Sequence, residues 1–88
     1  LTHYRKSALF PIIMLRKGDL HMLEYRYDTQ LLIEGNDLCE DSIHDYFMEN
    51  FQGDCLLAVG DAELIKIHFH TNAPWDVLKI LRYPWGNL

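Results

Sequence analysis

Met22-Leu23-Glu24-Tyr25-Arg26-Tyr27-Asp28-Thr29-Gln30-Leu31-Leu32-Ile33-Glu34-Gly35 decides the reading of the fold. Leu23, Tyr25, Tyr27, Thr29, Leu31 and Ile33 fall on one side, and Glu24, Arg26, Asp28, Gln30 and Glu34 on the other. Period 2 with aromatic and β-branched enrichment predicts a long half-buried strand over 22–34, ended by Gly35-Asn36. Asp37 followed by Glu40 predicts a capping-box start for a helix. Along that helix Cys39, Ile43, Tyr46/Phe47 and Phe51 recur at three-to-four spacing, while Glu40, Asp41, Asp45 and Glu49 face out. Cys55–Val59 is almost wholly apolar, the pattern of a strand buried on both faces or central in its sheet. Leu64–His70 alternates again, with Ile65, Ile67 and Phe69 inward and Lys66, His68 and His70 on the opposite face. Thr71-Asn72-Ala73-Pro74 predicts a helix start with Pro in its first turn. Val77, Leu78 and Leu81 are its expected apolar stripe, and Pro84 its stop.

The order β-α-β-β-α predicts an α+β sandwich of ferredoxin-like type, with both helices on one face of an antiparallel sheet and the fourth strand missing. A sheet left open at one edge is paired or covered. Either residues 7–15 fill it or a second chain does, so a homo-oligomer through that edge is one expectation. Residues 1–20 are read as a leader and 21–88 as a single domain.

Eighty-eight residues leave room for one small domain and exclude a TIM barrel or a doubly wound nucleotide fold. Formal net charge is −5, which argues against nucleic acid as a partner. The charge is uneven. Up to residue 26, Arg5, Lys6, Arg16, Lys17 and Arg26 face only Asp19 and Glu24; beyond it, Lys66, Lys79 and Arg82 face all the remaining acids. The apolar run Ala8–Leu15 is far short of the roughly 20 residues of a membrane span. Arg16-Lys17 stands where a signal peptide would carry small residues, so no targeting is expected. Cys39 and Cys55 have apolar neighbours and no paired spacing, which predicts two reduced, core-like cysteines and a cytoplasmic setting.

His68-Phe69-His70 is the one dense group of chemistry-bearing side chains. Residues i and i+2 of a strand point the same way, with bases about 7 Å apart, so both imidazoles can converge on one ion. Asp28, on the polar face of the first strand, is the candidate third ligand, and zinc suits such a set with a position left for water. The competing reading is two solvated histidines on a strand face. Enzyme readings fare poorly. An amidohydrolase needs a barrel, a histidine-triad hydrolase needs a His where Lys66 stands, and a two-motif phosphoesterase needs a second copy of His70-Thr71. His44 and the acids Asp41, Asp45 and Glu49 read as a wet helix face lacking calcium-loop spacing. Trp75 and Trp85 read as core or interface anchors.

Three segments resemble consecutive signatures of one family: Tyr25–Gly35, Gly53–Asp61, and Leu64–Pro74 with its Lys66-Ile67-His68-Phe69-His70-Thr71-Asn72-Ala73-Pro74. The family is the middle domain of the dihydroxyacetone-kinase-like, fatty acid kinase A-subunit proteins, and the resemblance covers roughly 22–82. It implies a metal, typically zinc, held by a Cys of the first segment and the two His of the third. The His pair falls on His68 and His70, while the Cys position falls on Asp28, a departure toward a harder ligand. It also implies partners: an ATP-binding kinase domain and a carrier protein that presents the acyl group. These residues do not include the ATP-binding part, so the expected function is a metal-binding, partner-docking module that does not catalyse alone. The alternative is a metal-free structural or regulatory self-association domain.

Overall fold

The computed structural model describes residues 5–18 and 22–83. Its elements are β1 (Arg5–Leu15), β2 (Tyr27–Asn36), α1 (Glu40–Asn50), β3 (Gly53–Gly60), β4 (Leu64–Thr71) and a 3-10 helix (Pro74–Arg82). The four strands form one sheet in the order β1-β2-β4-β3, antiparallel throughout. The fold is therefore α+β, with a four-stranded antiparallel sheet and two helices. The specific ferredoxin-like order is not confirmed, because the additional strand comes from the N-terminal side of the β-α-β-β-α run.

The edge beside β2 is filled from within the chain. β1 pairs along almost the whole of β2, from Arg5 opposite Asn36 to Leu15 opposite Tyr27. Pro11 sits inside it, which a strand tolerates only where its missing N–H faces away from a partner, and β1 is an edge strand. The vacancy that suggested a second chain is thus closed by the leader.

β2 begins at Tyr27, later than the alternation alone predicts. The Asn72 side chain takes the backbone before it: Arg26 N–H donates to Asn72 Oδ1 at 2.9 Å and Asn72 Nδ2 donates to the Glu24 carbonyl at 2.8 Å. Thr29, Leu31 and Ile33 of β2 and Ile65, Ile67 and Phe69 of β4 are buried together, as the period-2 reading requires. Ile43 and Phe47 of α1 cover them, with Phe47 edge-on to Phe69 at a centroid distance of 5.7 Å. The helices lie over this face only. Asp28, Gln30, Leu32, Lys66, His68 and His70 line the other.

Several expectations fail for identifiable reasons. The capping box does not form: Asp37 adopts a left-handed φ of 56°, the N-cap is Cys39, and Glu40 instead accepts the Gly60 N–H at 2.7 Å. β3 is an edge strand, not one buried on both faces. Leu57 and Val59 are exposed, because they point to the helix-free side, and only Leu56 and Ala58 lean on the core. Cys55 is an exposed free cysteine with a φ of 53°, not a core residue, and Cys39 is half-buried.

The second helix is 3-10. At three residues per turn the buried stripe becomes Val77, Ile80 and Tyr83, and Leu78 and Leu81 turn outward. Trp75 is exposed, edge-on to Tyr27 at 6.4 Å, so it is no core anchor. Pro84 and Trp85 lie outside the described residues. Among the described residues no helix is long and apolar enough to cross a membrane.

Candidate metal centre

β4 pairs with β2 so that Asp28 lies opposite His70 and Gln30 opposite His68. The β3–β4 hairpin that leads into β4 is held by Asp61. Its carboxylate accepts the N–H groups of Glu63 at 2.8 Å and Leu64 at 2.9 Å. Those two bonds, Glu63 first, lower the Asp61 pKa below its ordinary 3.8. Because Ile65, Ile67 and Phe69 are committed to the core, His68 and His70 must emerge together on the helix-free face. Asp28, directly across, completes the group.

The side chains come much closer than their bases. Asp28 Oδ1 lies 3.1 Å from His68 Nε2 and 4.0 Å from His70 Nε2, and the two Nε2 atoms are 3.2 Å apart. Zinc bonds of about 2.0–2.1 Å place the donors of a tetrahedral site about 3.3 Å apart. Two sides of this triangle match that figure, and the third, at 4.0 Å, exceeds it by about 0.7 Å. Asp28 Oδ1 is also buried without a hydrogen bond, although it faces two ring nitrogens. A buried carboxylate oxygen left so is costly, and a cation at the convergence point satisfies it. The residues therefore fit a divalent metal. Gln30 Nε2 reaches the other carboxylate oxygen, Asp28 Oδ2, at a long 3.5 Å.

The site is half-sheltered, with the His70 side chain 14% exposed. It opens into a cavity of about 370 Å³ lined by Met14, Leu15, Arg16, Lys17, Asp28 and His70. The leader thus builds one wall, since Met14 pairs with Asp28 in the β1–β2 register. Arg16 is fixed there. Its guanidinium donates to the Tyr25 carbonyl at 2.7 Å and its N–H to the Arg26 carbonyl at 2.8 Å. Arg16 and Lys17 put positive charge on this side of the cavity, which favours an anion there.

Two further residues flank the site that periodicity could not reveal. Asp54 Oδ1 lies 3.5 Å from His70 Nδ1, on the opposite edge of the ring from Asp28, and Cys55 stands next to it. A register shift between Asp54 and Leu57 interrupts the strand alternation here. His44 pairs with its neighbour Asp45 at 3.6 Å on the exposed helix face, as expected of a solvated His. Among the described residues, no metal-competent group includes Asp41, Asp45 or Glu49.

The sequence profile of the family of fatty acid kinase A-subunit-like middle domains matches residues 24–87. The chain belongs to this family. The matched region begins just before β2 and holds all three residues of the donor triangle, while β1 precedes it. No curated protein and no solved structure matches the chain.

Proposed function

We propose that this middle domain of the fatty acid kinase A-subunit-like family is a metal-binding, partner-docking module, with Asp28, His68 and His70 as the ligands of a divalent cation such as zinc. The observation that carries the reading is the convergence of Asp28 Oδ1 and the two Nε2 atoms, with the carboxylate oxygen buried and unbonded. A carboxylate and two neutral imidazoles hold a dication at a net charge of +1, so the centre still attracts an anion. When bound, the metal supplies a Lewis-acidic position for an oxygen donor. Asp28 and the histidines hold that position open toward the cavity, and Arg16 with Lys17 supplies positive charge beside it.

The sequence carries no Gly-rich phosphate loop, and phosphoryl transfer by these residues alone is not proposed. The partners this reading implies are an ATP-binding kinase domain and an acyl-presenting protein. Cys39 and Cys55 form no disulfide, which suits a reducing, cytoplasmic setting. The edges left for self-association are the outer sides of β1 and β3, since β1 occupies the edge beside β2.

Zinc uptake by the purified protein, compared with Asp28→Asn combined with His68→Ala, tests the metal centre. The double variant is expected to hold one equivalent less than the wild type at neutral pH. Equal uptake by the two proteins refutes it.

A further inference from the structure

His70 presents its two ring nitrogens to two different groups of donors. Nε2 faces Asp28 and His68, while Nδ1 faces Asp54 and Cys55. In the second group the carboxylate, thiol and ring nitrogen all lie within 4.8 Å of one another. The backbone is arranged for this. Consecutive strand residues ordinarily point to opposite faces, but the irregularity after Asp54 and the left-handed φ of 53° at Cys55 bring both side chains to the same ring edge. A non-glycine residue in that region is strained and persists where its surroundings hold it. Gly53 lets the bulge begin against β4, since a Cβ there would overlap the His70 carbonyl oxygen and the Phe69 ring. His70 Nδ1 is itself buried and has no hydrogen bond.

We infer that Asp54, Cys55 and His70 Nδ1 form a second cation subsite, for a thiophilic divalent metal. The thiol makes it softer than the Asp28/His68/His70 triangle, so cadmium and zinc are its natural occupants and magnesium and calcium are not. Binding releases the Cys55 S–H proton to solvent, and the thiolate and the Nδ1 lone pair of a neutral imidazole, with its proton on Nε2, then donate to the metal. Zinc–sulfur bonds of about 2.3 Å set donor separations near 3.5 Å. Closing the present spacing to that value requires a rotation of the Cys55 side chain, which is exposed and free to turn. With the proposed metal centre also filled, His70 would give up its Nε2 proton as well and would serve both sites. The subsite itself does not depend on that centre.

Cadmium titration followed by the ultraviolet thiolate-to-cadmium charge-transfer band reads the subsite directly, with circular dichroism confirming the fold of each variant. The wild type is expected to develop the band to one equivalent per chain. Cys39→Ser keeps it, Cys55→Ser abolishes it, and Asp54→Asn and His70→Ala each weaken cadmium binding at least tenfold. Cys55→Ser is also expected to take up one equivalent of zinc less than the wild type. No band, a band that follows Cys39, or an affinity unchanged in both Asp54→Asn and His70→Ala overturns the inference. Asp28→Asn with His68→Ala separates the two claims. A retained cadmium band in that variant supports the subsite, while its zinc uptake reports independently on the other centre.

Discussion

Replacing Gly53 by Ala tests how tightly β3 is laid against β4 beside the site. Glycine-to-alanine changes at unstrained positions stabilise a protein by about 0.4–1 kcal/mol, because the unfolded chain loses freedom. The structure reverses that sign. A Cβ on Gly53 would stand 2.2 Å from the His70 carbonyl oxygen and 2.4 Å from Phe69 Cζ, where real contacts essentially never fall under 3.0 Å. Relieving the first overlap moves the strands apart by roughly 0.8 Å, the difference between those two distances. Phe69 cannot yield instead, since its ring is buried edge-on against Phe47. Overpacking of this kind costs about 1–3 kcal/mol. With a urea dependence near about 1 kcal/mol per M for so small a domain, the unfolding midpoint falls by about 1–3 M. The displaced His70 backbone also carries its ring away from Asp54. Equilibrium urea unfolding by fluorescence reads the effect, and a midpoint equal to or above the wild-type value refutes the close approach.

Phe47→Ala empties the centre of the helix–sheet interface and is expected to cost about 3–5 kcal/mol, a loss that calorimetry would register as failure of cooperative melting in a domain of this size. Ile80→Ala is expected to cost about 2–5 kcal/mol and Leu81→Ala under about 1, because the 3-10 turn buries the former and exposes the latter; equal losses in urea would contradict the 3-10 register. Zinc at a hundredfold excess over its dissociation constant adds about 2.7 kcal/mol per site. At about 4–8 °C per kcal/mol for a domain this small, that raises the melting temperature by about 10–20 °C, and Asp28→Asn with His68→Ala is expected to lose that increment in a thermal scan. Asp61 has its pKa lowered in the folded state, so its contribution to stability is complete above the unfolded value of 3.8 and is lost as pH falls through the lower folded value. Stability measured against pH in that acid range is expected to fall less steeply in Asp61→Asn, and identical slopes would contradict the turn geometry.

What could be read from residue order was whatever obeys a single period. β2 and β4 alternate cleanly, so their buried sets, Leu31/Ile33 and Ile65/Ile67/Phe69, and the shared face of Asp28, His68 and His70 were legible without a structure. Their convergence to hydrogen-bonding distance needed the β2–β4 register, which periodicity does not supply, because α1 and β3 lie between the two strands in the chain. β3 misled because an apolar run on an edge strand looks the same as one in a sheet centre; what differs is which neighbour covers each face. The last helix misled because the spacing of Val77, Leu78 and Leu81 suits an α-helix, while the segment winds at three residues per turn and buries Val77, Ile80 and Tyr83. Asp54 and Cys55 escaped entirely. A bulge breaks the alternation that would have assigned their side chains, and nothing in the order Gly53-Asp54-Cys55-Leu56 announces it. The leader's part as the fourth strand stood as one of two alternatives, because an apolar stretch with Pro11 inside it suits an edge strand as well as an unpaired segment.

The most direct test of the metal centre is an anomalous difference map at the zinc edge from crystals grown with zinc. A peak about 2 Å from Asp28 Oδ1, His68 Nε2 and His70 Nε2 is the expected result. Zinc-soaked crystals with no density inside that triangle, and the three side chains turned apart into solvent, would contradict it.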